Sequence, residues 1–147
     1  MKGMQIPFVN LSAQWQSERE ELLPIIDATL EGGHWVNGSQ VEELEEALAG
    51  KCESQYAVAL NSGTDALVFG LAALGIGRGD EVITPPNSFI ASTAAICHLG
   101  AIPVFVDVLP DQTIDPEQVQ EAVGPKTRAI MPVHLTGRVA RMEEIQA

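Results

Sequence analysis

From residue 56 onward the chain alternates between short apolar runs with strand character and longer runs with helical spacing. The strand-like runs cover residues 56–60, 81–85, 102–108 and 128–133. The helical runs cover residues 64–74, 88–99 and 116–123. Strands that alternate with helices of about three turns are typical of parallel βαβ units with right-handed crossovers. The pattern therefore predicts an α/β fold built on a parallel βαβ sheet.

Two further helices are predicted before this alternation. Apolar residues recur at helical spacing over residues 14–30, although Pro24 is expected to kink or interrupt that helix. Ser39 and Glu42 have the spacing of a capping box, and Gly50 is a natural C-terminal stop, so a second helix is predicted between them. The first of these helices is expected to be an appendage to the main fold.

The residues that directly follow each predicted strand are the candidate binding site, because ligands of open parallel sheets bind outside the carboxyl ends of the strands. They are Asn61-Ser62-Gly63-Thr64, Pro86-Asn87-Ser88-Phe89, Asp107 and His134. The first of these segments is a strand, a turn and a helix start, where unpaired N–H groups and the helix dipole converge. A phosphate group fits there. A capped polar βα turn also explains the segment, which matches neither the GxGxxG nor the GxxxxGK[ST] fingerprint.

Each remaining candidate has two interpretations. Phe89 is either a core residue or a ring that stacks on a planar ligand. Asp107, Asp111 and Asp115 lack the calcium-loop pattern, and a strand end, a turn and a helix cap explain them. His134 closes the last predicted strand, where it is either a hydrogen-bonded structural residue or part of a site.

Composition narrows the class of protein. With 147 residues, 46% of them hydrophobic and 19% charged, the chain is expected to form one globular domain. It contains no apolar stretch of roughly 20 residues and no apolar h-region, so a cytoplasmic protein is expected. A net charge of −12 without a basic stripe argues against nucleic-acid binding. Cys52 and Cys97 lack metal or CxxC spacing and are expected to be buried, reduced thiols, with no metal site.

The motifs SGTDAL and GIGRGDEVI occur in order with GGHWVNGSQVEELEEALA before them and KTRAIMPVHLTGRVARMEEI after them. From Ile6 onward the chain resembles the N-terminal portion of the DegT/StrS (DegT/DnrJ) sugar aminotransferases. The resemblance implies part of the large domain of an aspartate-aminotransferase-like, fold type I enzyme that uses pyridoxal 5'-phosphate. It further implies transfer of an amino group, usually from glutamate, to a keto sugar carried on a nucleotide. A homo-oligomer is expected.

The resemblance also implies roles for individual residues. Gly63, Thr64 and Asp65 would hold the cofactor phosphate through backbone N–H groups and the Thr64 hydroxyl, with the Asp65 carboxylate turned away. Phe89 would stack on the pyridine ring. Substrate or interface contacts are implied for Trp35, Asn37 and His134.

Two groups that the chemistry needs are missing from these residues. Pyridoxal-phosphate chemistry requires a Schiff-base lysine and an acidic partner for the pyridinium nitrogen, and none of Lys2, Lys51 and Lys126 lies in the family's lysine motif. Lys126 precedes a predicted strand, on the wrong side of the sheet. Arg138 stands where a small or polar residue is more usual.

The missing groups lead to a hypothesis about the whole chain. We expect residues 1–38 to be a helical lead-in and residues 39–147 to be a truncated cofactor domain, corresponding to roughly the first two fifths of a family member. Such a chain would be inactive alone. The alternative is a non-catalytic α/β module that binds phosphate or serves assembly. We also expect residues 56–60 to pair differently from the parent fold, or with another copy of the chain.

Overall fold

The computed structural model describes residues 6–33 and 35–146. Contacts divide the chain into an N-terminal unit, Met1–Ala59, and a C-terminal unit, Leu60–Ala147. The domain boundary that the sequence places after residue 38 stays a prediction. None of the helices in the described part of the chain combines the length and the apolarity that a membrane crossing requires.

The N-terminal unit begins with a long helix, α1 (Leu11–Glu31). The Asn10 side chain starts it by accepting the N–H of Ala13 at 3.1 Å. Pro24 was expected to kink or interrupt this helix, and the interruption is wrong, since the helix runs through this residue. A proline removes only one helical hydrogen bond, and helix-forming residues continue on both sides. No residue of α1 is buried. Its exposed apolar side chains include Trp15, Leu22, Ile25, Ile26 and Leu30.

The second helix, α2 (Ser39–Lys51), departs from the predicted capping. Gly38 occupies the N-cap position and no side chain caps the helix, because Ser39 is already its first helical residue. The capping-box prediction is therefore wrong. The helix also continues past Gly50, and Cys52 is its C-cap.

The strand predicted at residues 56–60 is wrong. These residues belong to no strand, and Tyr56 and Val58 are each 75% exposed. Apolar β-branched sequence forms a strand only when another strand pairs with it, and none does so in the described part of the chain. The segment is held instead by the Glu45 carboxylate of α2, which accepts the N–H of Ala59 at 2.7 Å.

The C-terminal unit confirms the α/β alternation. Its elements are α3 (Gly63–Ala73), β1 (Glu81–Thr84), α4 (Ala91–His98), β2 (Ile102–Phe105), α5 (Pro116–Ala122), β3 (Thr127–Ile130), a 3-10 turn (Leu135–Gly137) and α6 (Met142–Ile145). The three strands form a parallel sheet in the order β2-β1-β3. The central strand β1 consequently pairs on both sides.

Two apolar clusters cover the two faces of this sheet. Val82 of β1 packs with residues of α3 and α4, including Leu71 and Ile96. The next residue, Ile83, faces the opposite way and packs with Val119 of α5, as the two-residue period of a strand requires. The result is a sheet enclosed between two helical layers, which is the usual way to bury a parallel sheet.

The cysteine prediction is wrong. Cys97 is exposed although it lies in an apolar helical run, and Cys52 is exposed as well. The buried residues of α4 are Ala91, Ser92, Ala95 and Ile96, and Cys97 follows them on the outward face. One residue of helix rotates a side chain by about 100°, which is enough to move it from the core to the surface.

Candidate functional site

The carboxyl ends of the three strands meet at one edge of the sheet. The Thr84 hydroxyl at the end of β1 donates to the carbonyl of Met131 at 3.1 Å, just beyond β3. On the other side, the N–H of Val106 reaches the Thr84 carbonyl at 3.4 Å. Residues 85–90, 106–115 and 131–141 therefore leave the sheet at this common edge. This is the edge at which an open parallel sheet places its ligands.

The first turn of α3 offers an anion site. Ser62 is the N-cap, and its hydroxyl accepts the N–H of Asp65 at 3.1 Å. In the described part of the chain, no acceptor engages the N–H groups of Gly63 and Thr64 or the Thr64 hydroxyl. Both residues are exposed. Two N–H groups and one hydroxyl are thus available to an anion, whereas the Asp65 N–H is already engaged.

Glycine at position 63 is required neither by the backbone nor by packing. Its φ angle is outside the left-handed region, and a Cβ atom added there meets no atom within 4 Å. The space beside Gly63 is open to a ligand that approaches the backbone closely.

Phe89 is exposed at the carboxyl edge rather than buried in the core. Its side chain is 76% exposed. The residue lies just before the N-cap of α4, Ile90, so the helix begins later than the predicted residue 88. The Phe89 carbonyl accepts the N–H of Ser92 at 3.1 Å, which fixes the backbone on its C-terminal side. The core interpretation is therefore wrong, and the ring is free to cover a planar ligand.

His134 follows β3 and has a structural hydrogen bond. Its Nδ1 atom accepts the N–H of Ala140 at 3.1 Å. The turn that it closes contains Thr136, a β-branched residue with a φ of 57°. Because Nδ1 is the acceptor, the proton of the neutral ring lies on Nε2. His134 thus holds a turn at the carboxyl edge and retains one N–H donor.

Two links join the segments that leave this edge. The Asn87 Nδ2 group donates to the carbonyl of Gln112 at 3.1 Å. The Asp111 carboxylate lies 3.9 Å from the Arg138 guanidinium. Arg138 of the third segment is therefore within ion-pair distance of the second segment.

Asp111 is the acidic residue whose environment favours ionisation. Its Oδ1 atom accepts the Thr113 hydroxyl at 2.7 Å and the Thr113 N–H at 3.0 Å. These two hydrogen bonds, and more weakly the charges of Arg138 and Arg141, hold the pKa of Asp111 below its usual value. Asp107 and Asp115 bind backbone N–H groups at 2.8 and 3.0 Å, as the turn and cap interpretation predicted.

Trp35 and Asn37 belong to the N-terminal unit, and the other candidates belong to the C-terminal unit. Trp35 is 73% exposed. Asn37 has a φ of 53°, a left-handed conformation that asparagine tolerates better than most residues. It lines a shallow depression with Gly38, Val41, Glu42 and Glu45. Their substrate or interface roles stay predictions.

Lys126 lies at the opposite edge of the sheet from the candidate residues of the C-terminal unit. The Lys126 carbonyl accepts the N–H of Glu81 at 2.8 Å, so Lys126 lies at the amino ends of β1 and β3. Lys51 ends α2 in the N-terminal unit. Lys2 lies outside the described residues. The topology therefore agrees with the expectation that Lys126 is on the wrong side of the sheet.

Residues 16–147 match the sequence profile of the DegT/DnrJ/EryC1/StrS aminotransferase family. This chain belongs to that family. It is 42% identical over 143 residues to dTDP-3-amino-3,4,6-trideoxy-alpha-D-glucose transaminase of Streptomyces venezuelae, covering 97% of this chain and 38% of that protein. It is 40% identical over 130 residues to 3-oxo-glucose-6-phosphate:glutamate aminotransferase of Bacillus subtilis, covering 88% and 30%. The chain thus spans less than two fifths of the length of these two relatives.

A solved structure supports the same family fold. The crystal structure of NtdA from Bacillus subtilis with bound cofactor PMP superposes with a TM-score of 0.93 at 36% identity. The match covers 99% of this chain and 34% of that one. The partial fold type I large domain that the sequence predicts is thereby confirmed.

The roles of two residues that link the segments at this edge, Asn87 and Arg138, could not be predicted from the sequence. Asn87 lies in the segment that the sequence pattern singled out after β1, yet no role was assigned. The partner of Asn87 is 25 residues away in sequence, and the partner of Arg138 is in the loop after β2. Ser62 was noted only as a possible cap. Its engagement of the Asp65 N–H follows from the N-cap preference of serine, which is a readable signal.

Proposed function

We propose that this chain provides the phosphate-binding and ring-covering side of a pyridoxal-phosphate site in an aminotransferase that acts on nucleotide-linked keto sugars. The observation that carries the proposal is the first turn of α3. Its free N–H groups at Gly63 and Thr64 and the Thr64 hydroxyl form a site for an anion. The exposed ring of Phe89 belongs to the same unit, in the segment that follows β1.

These residues fit the cofactor on its phosphate side. Neutral donors and the positive end of the α3 dipole would hold the phosphate, and the open space at Gly63 permits close approach. Asp65 contributes its N–H to the Ser62 cap, so we propose that it shapes the turn and does not itself donate to the phosphate. When bound, pyridoxal phosphate supplies the electron sink that amino-group transfer requires.

Sugar and amino donor follow from the relatives. The names of the two curated relatives specify a dTDP-linked amino sugar in one and glutamate in the other. We propose a nucleotide-linked keto sugar as acceptor and glutamate as donor, with Trp35, Asn37 and His134 as substrate or interface contacts. The cytoplasm is the proposed location.

We further propose that these 147 residues are inactive by themselves. Lys126 lies at the amino edge of the sheet, and neither Lys51 nor Lys126 lies in the family's lysine motif. A covalent link to a cofactor at the carboxyl edge therefore needs a lysine from elsewhere.

Association with a second copy of the chain is the proposed oligomeric state. The exposed apolar side chains of α1 and of the edge strand β2, including Ile102 and Phe105, support it. Analytical ultracentrifugation tests this proposal, and a monomer across the micromolar range would contradict it.

A non-catalytic α/β module that binds phosphate or serves assembly is the second candidate, and the position of Lys126 favours it. Borohydride reduction after incubation with pyridoxal phosphate addresses the covalent chemistry. Specific labelling of Lys126 would overturn our view that no described lysine is catalytic. The absence of specific labelling, with cofactor binding retained, would support a non-covalent cofactor half-site.

Calorimetric titration with pyridoxamine 5'-phosphate tests the phosphate site, because this compound cannot link covalently to a lysine. The matched variants are Gly63→Ala and Gly70→Ala, two glycines of α3 at which an added Cβ meets nothing within the chain. Both variants should fold. We expect Gly63→Ala to lower the affinity at least about tenfold by blocking close approach, and Gly70→Ala to leave it unchanged. Equal affinities of the wild type, Gly63→Ala and Gly70→Ala would show that the phosphate does not bind at the first turn of α3.

A further inference from the structure

We propose that Asn87 is a positioning residue that sets the location of the Phe89 ring through its hydrogen bond to the Gln112 carbonyl. The inference rests on the proposed function, in which the Phe89 ring covers the cofactor.

The Phe89 ring is not held by packing of its own. With 76% of the residue exposed, few neighbouring atoms restrict its side chain. Its location must therefore come from the backbone on either side. On the C-terminal side, the Ser92 N–H binds the Phe89 carbonyl at 3.1 Å. The residue just before Phe89 is also held, because the Ser88 hydroxyl lies 2.8 Å from the Ser92 hydroxyl. These contacts tie the residue to the first turn of α4.

One residue further towards the N-terminus, Asn87 ties the segment to the loop after β2. Its Nδ2 group donates to the Gln112 carbonyl at 3.1 Å, across the gap between the segments that follow β1 and β2. Its Oδ1 atom is buried and has no hydrogen-bond partner in the described part of the chain. A buried acceptor without a partner costs free energy. Among the described residues, this hydrogen bond joins the segment after β1 to the segment after β2, although it leaves the Asn87 Oδ1 acceptor unpaired.

The turn that contains the Gln112 carbonyl is held by hydrogen bonds of its own. Gln112 adopts a φ of 72°, and its N–H binds the Leu109 carbonyl at 2.8 Å within a tight turn. Next to it, Asp111 binds both polar groups of Thr113, which is 1% exposed. The turn after β2 therefore offers a carbonyl of fixed position. By binding this carbonyl, Asn87 fixes the segment that carries Phe89 relative to the turn after β2.

Fluorine NMR of the chain labelled with 4-fluorophenylalanine tests the inference directly. The chain has four phenylalanines, and Phe89→Leu assigns the Phe89 resonance. We expect Asn87→Ala to shift or broaden that resonance and to leave those of Phe69 and Phe105 unchanged. The affinity for pyridoxamine 5'-phosphate should also fall, by at most about fivefold, because the net free energy of one hydrogen bond is the most that its loss can withdraw from binding. Asn87→Ser, which also lacks the amide donor, should behave in the same way and replaces Asn87→Ala if that variant does not fold.

Two control variants distinguish the positioning of Phe89 by Asn87 from a general loss of stability of the fold. Gln112→Asn keeps the backbone carbonyl and suits the left-handed conformation, so both readouts should stay at the wild-type value. Val119→Ala opens the core on the α5 side and lowers stability, yet it should not move the Phe89 resonance. An unmoved Phe89 resonance in the Asn87 variants, or an equal shift in Val119→Ala, would overturn the inference. If the Asn87 variants shift the Phe89 resonance but the wild-type chain does not bind pyridoxamine 5'-phosphate, the positioning role of Asn87 is supported and the proposed function is rejected.

Discussion

The imidazole of His134 accepts the backbone N–H of Ala140, six residues along the chain, at 3.1 Å. Ala140 is only 3% exposed, so this N–H has little access to water. The hydrogen bond closes the turn that follows β3 at the carboxyl edge of the sheet. A histidine that the sequence leaves between a structural and a site role is thus part of the scaffold of that edge.

Replacing His134 by phenylalanine should therefore destabilise the chain. The ring is kept but the acceptor is lost, which leaves the buried Ala140 N–H unpaired at a cost of about 1–2 kcal/mol. Urea unfolding measures the change in the free energy of unfolding. The control is His98→Phe, at an exposed helix end, where we expect a change within about 0.5 kcal/mol. Equal effects of the two substitutions would show that the hydrogen bond contributes nothing.

Thr136 and Gly137 should respond to substitution with opposite signs. Thr136 is β-branched at a φ of 57°, and Gly137 has a φ of 84°. We expect Thr136→Gly to raise the free energy of unfolding by about 1 kcal/mol through relief of backbone strain. Gly137→Ala should lower it by about 1 kcal/mol. Thermal unfolding of both variants checks the pair, and a stabilising Gly137→Ala would contradict the conformation of this turn.

Asp111 should make stability depend on pH in the acid range. Its pKa is lowered in the folded chain, first of all by the Thr113 hydroxyl. A carboxyl with a lowered folded pKa stabilises the fold above its unfolded pKa, and that contribution is lost as the pH falls through the folded value. Asp111→Asn should therefore be less stable than wild type at pH 7, and the difference should shrink below about pH 4.

Urea unfolding across that pH range measures the Asp111 effect. Glu121→Gln serves as control, because Glu121 is exposed and has no ion pair or side-chain hydrogen bond within the described residues. Its stability should run parallel to that of wild type. A constant difference between Asp111→Asn and wild type at every pH would contradict the prediction.

Ser62 allows capping and anion binding to be separated. Ser62→Ala removes the acceptor for the Asp65 N–H and should cost about 1 kcal/mol. Ser62→Asp preserves the cap, so its stability should match that of wild type, but its charge should weaken pyridoxamine 5'-phosphate binding roughly tenfold. Unfolding and calorimetry on the same samples give both values. Unchanged affinity in Ser62→Asp would place the anion elsewhere.

Strands with a partner could be predicted from the sequence, and the strand without one could not. Residues 81–85 were predicted and β1 spans Glu81–Thr84, because an apolar run buried on both faces is typical of a central parallel strand. Residues 56–60 have equally strand-like composition but form none. The composition of a segment indicates its propensity to form a strand, but a strand forms only where a second strand lies beside it to pair with.

By itself the sequence determined the α/β class, the family and the turn at Gly63 and Thr64, since these depend on local spacing and on motifs that are contiguous in the chain. Only the tertiary structure decided that Phe89 is exposed and that Cys97 lies on an outward face. It alone also paired Asn87 with Gln112 and Arg138 with Asp111. Such contacts join loops that are distant in sequence, and no local pattern specifies them, because their geometry arises when parallel strands bring their carboxyl ends to one edge.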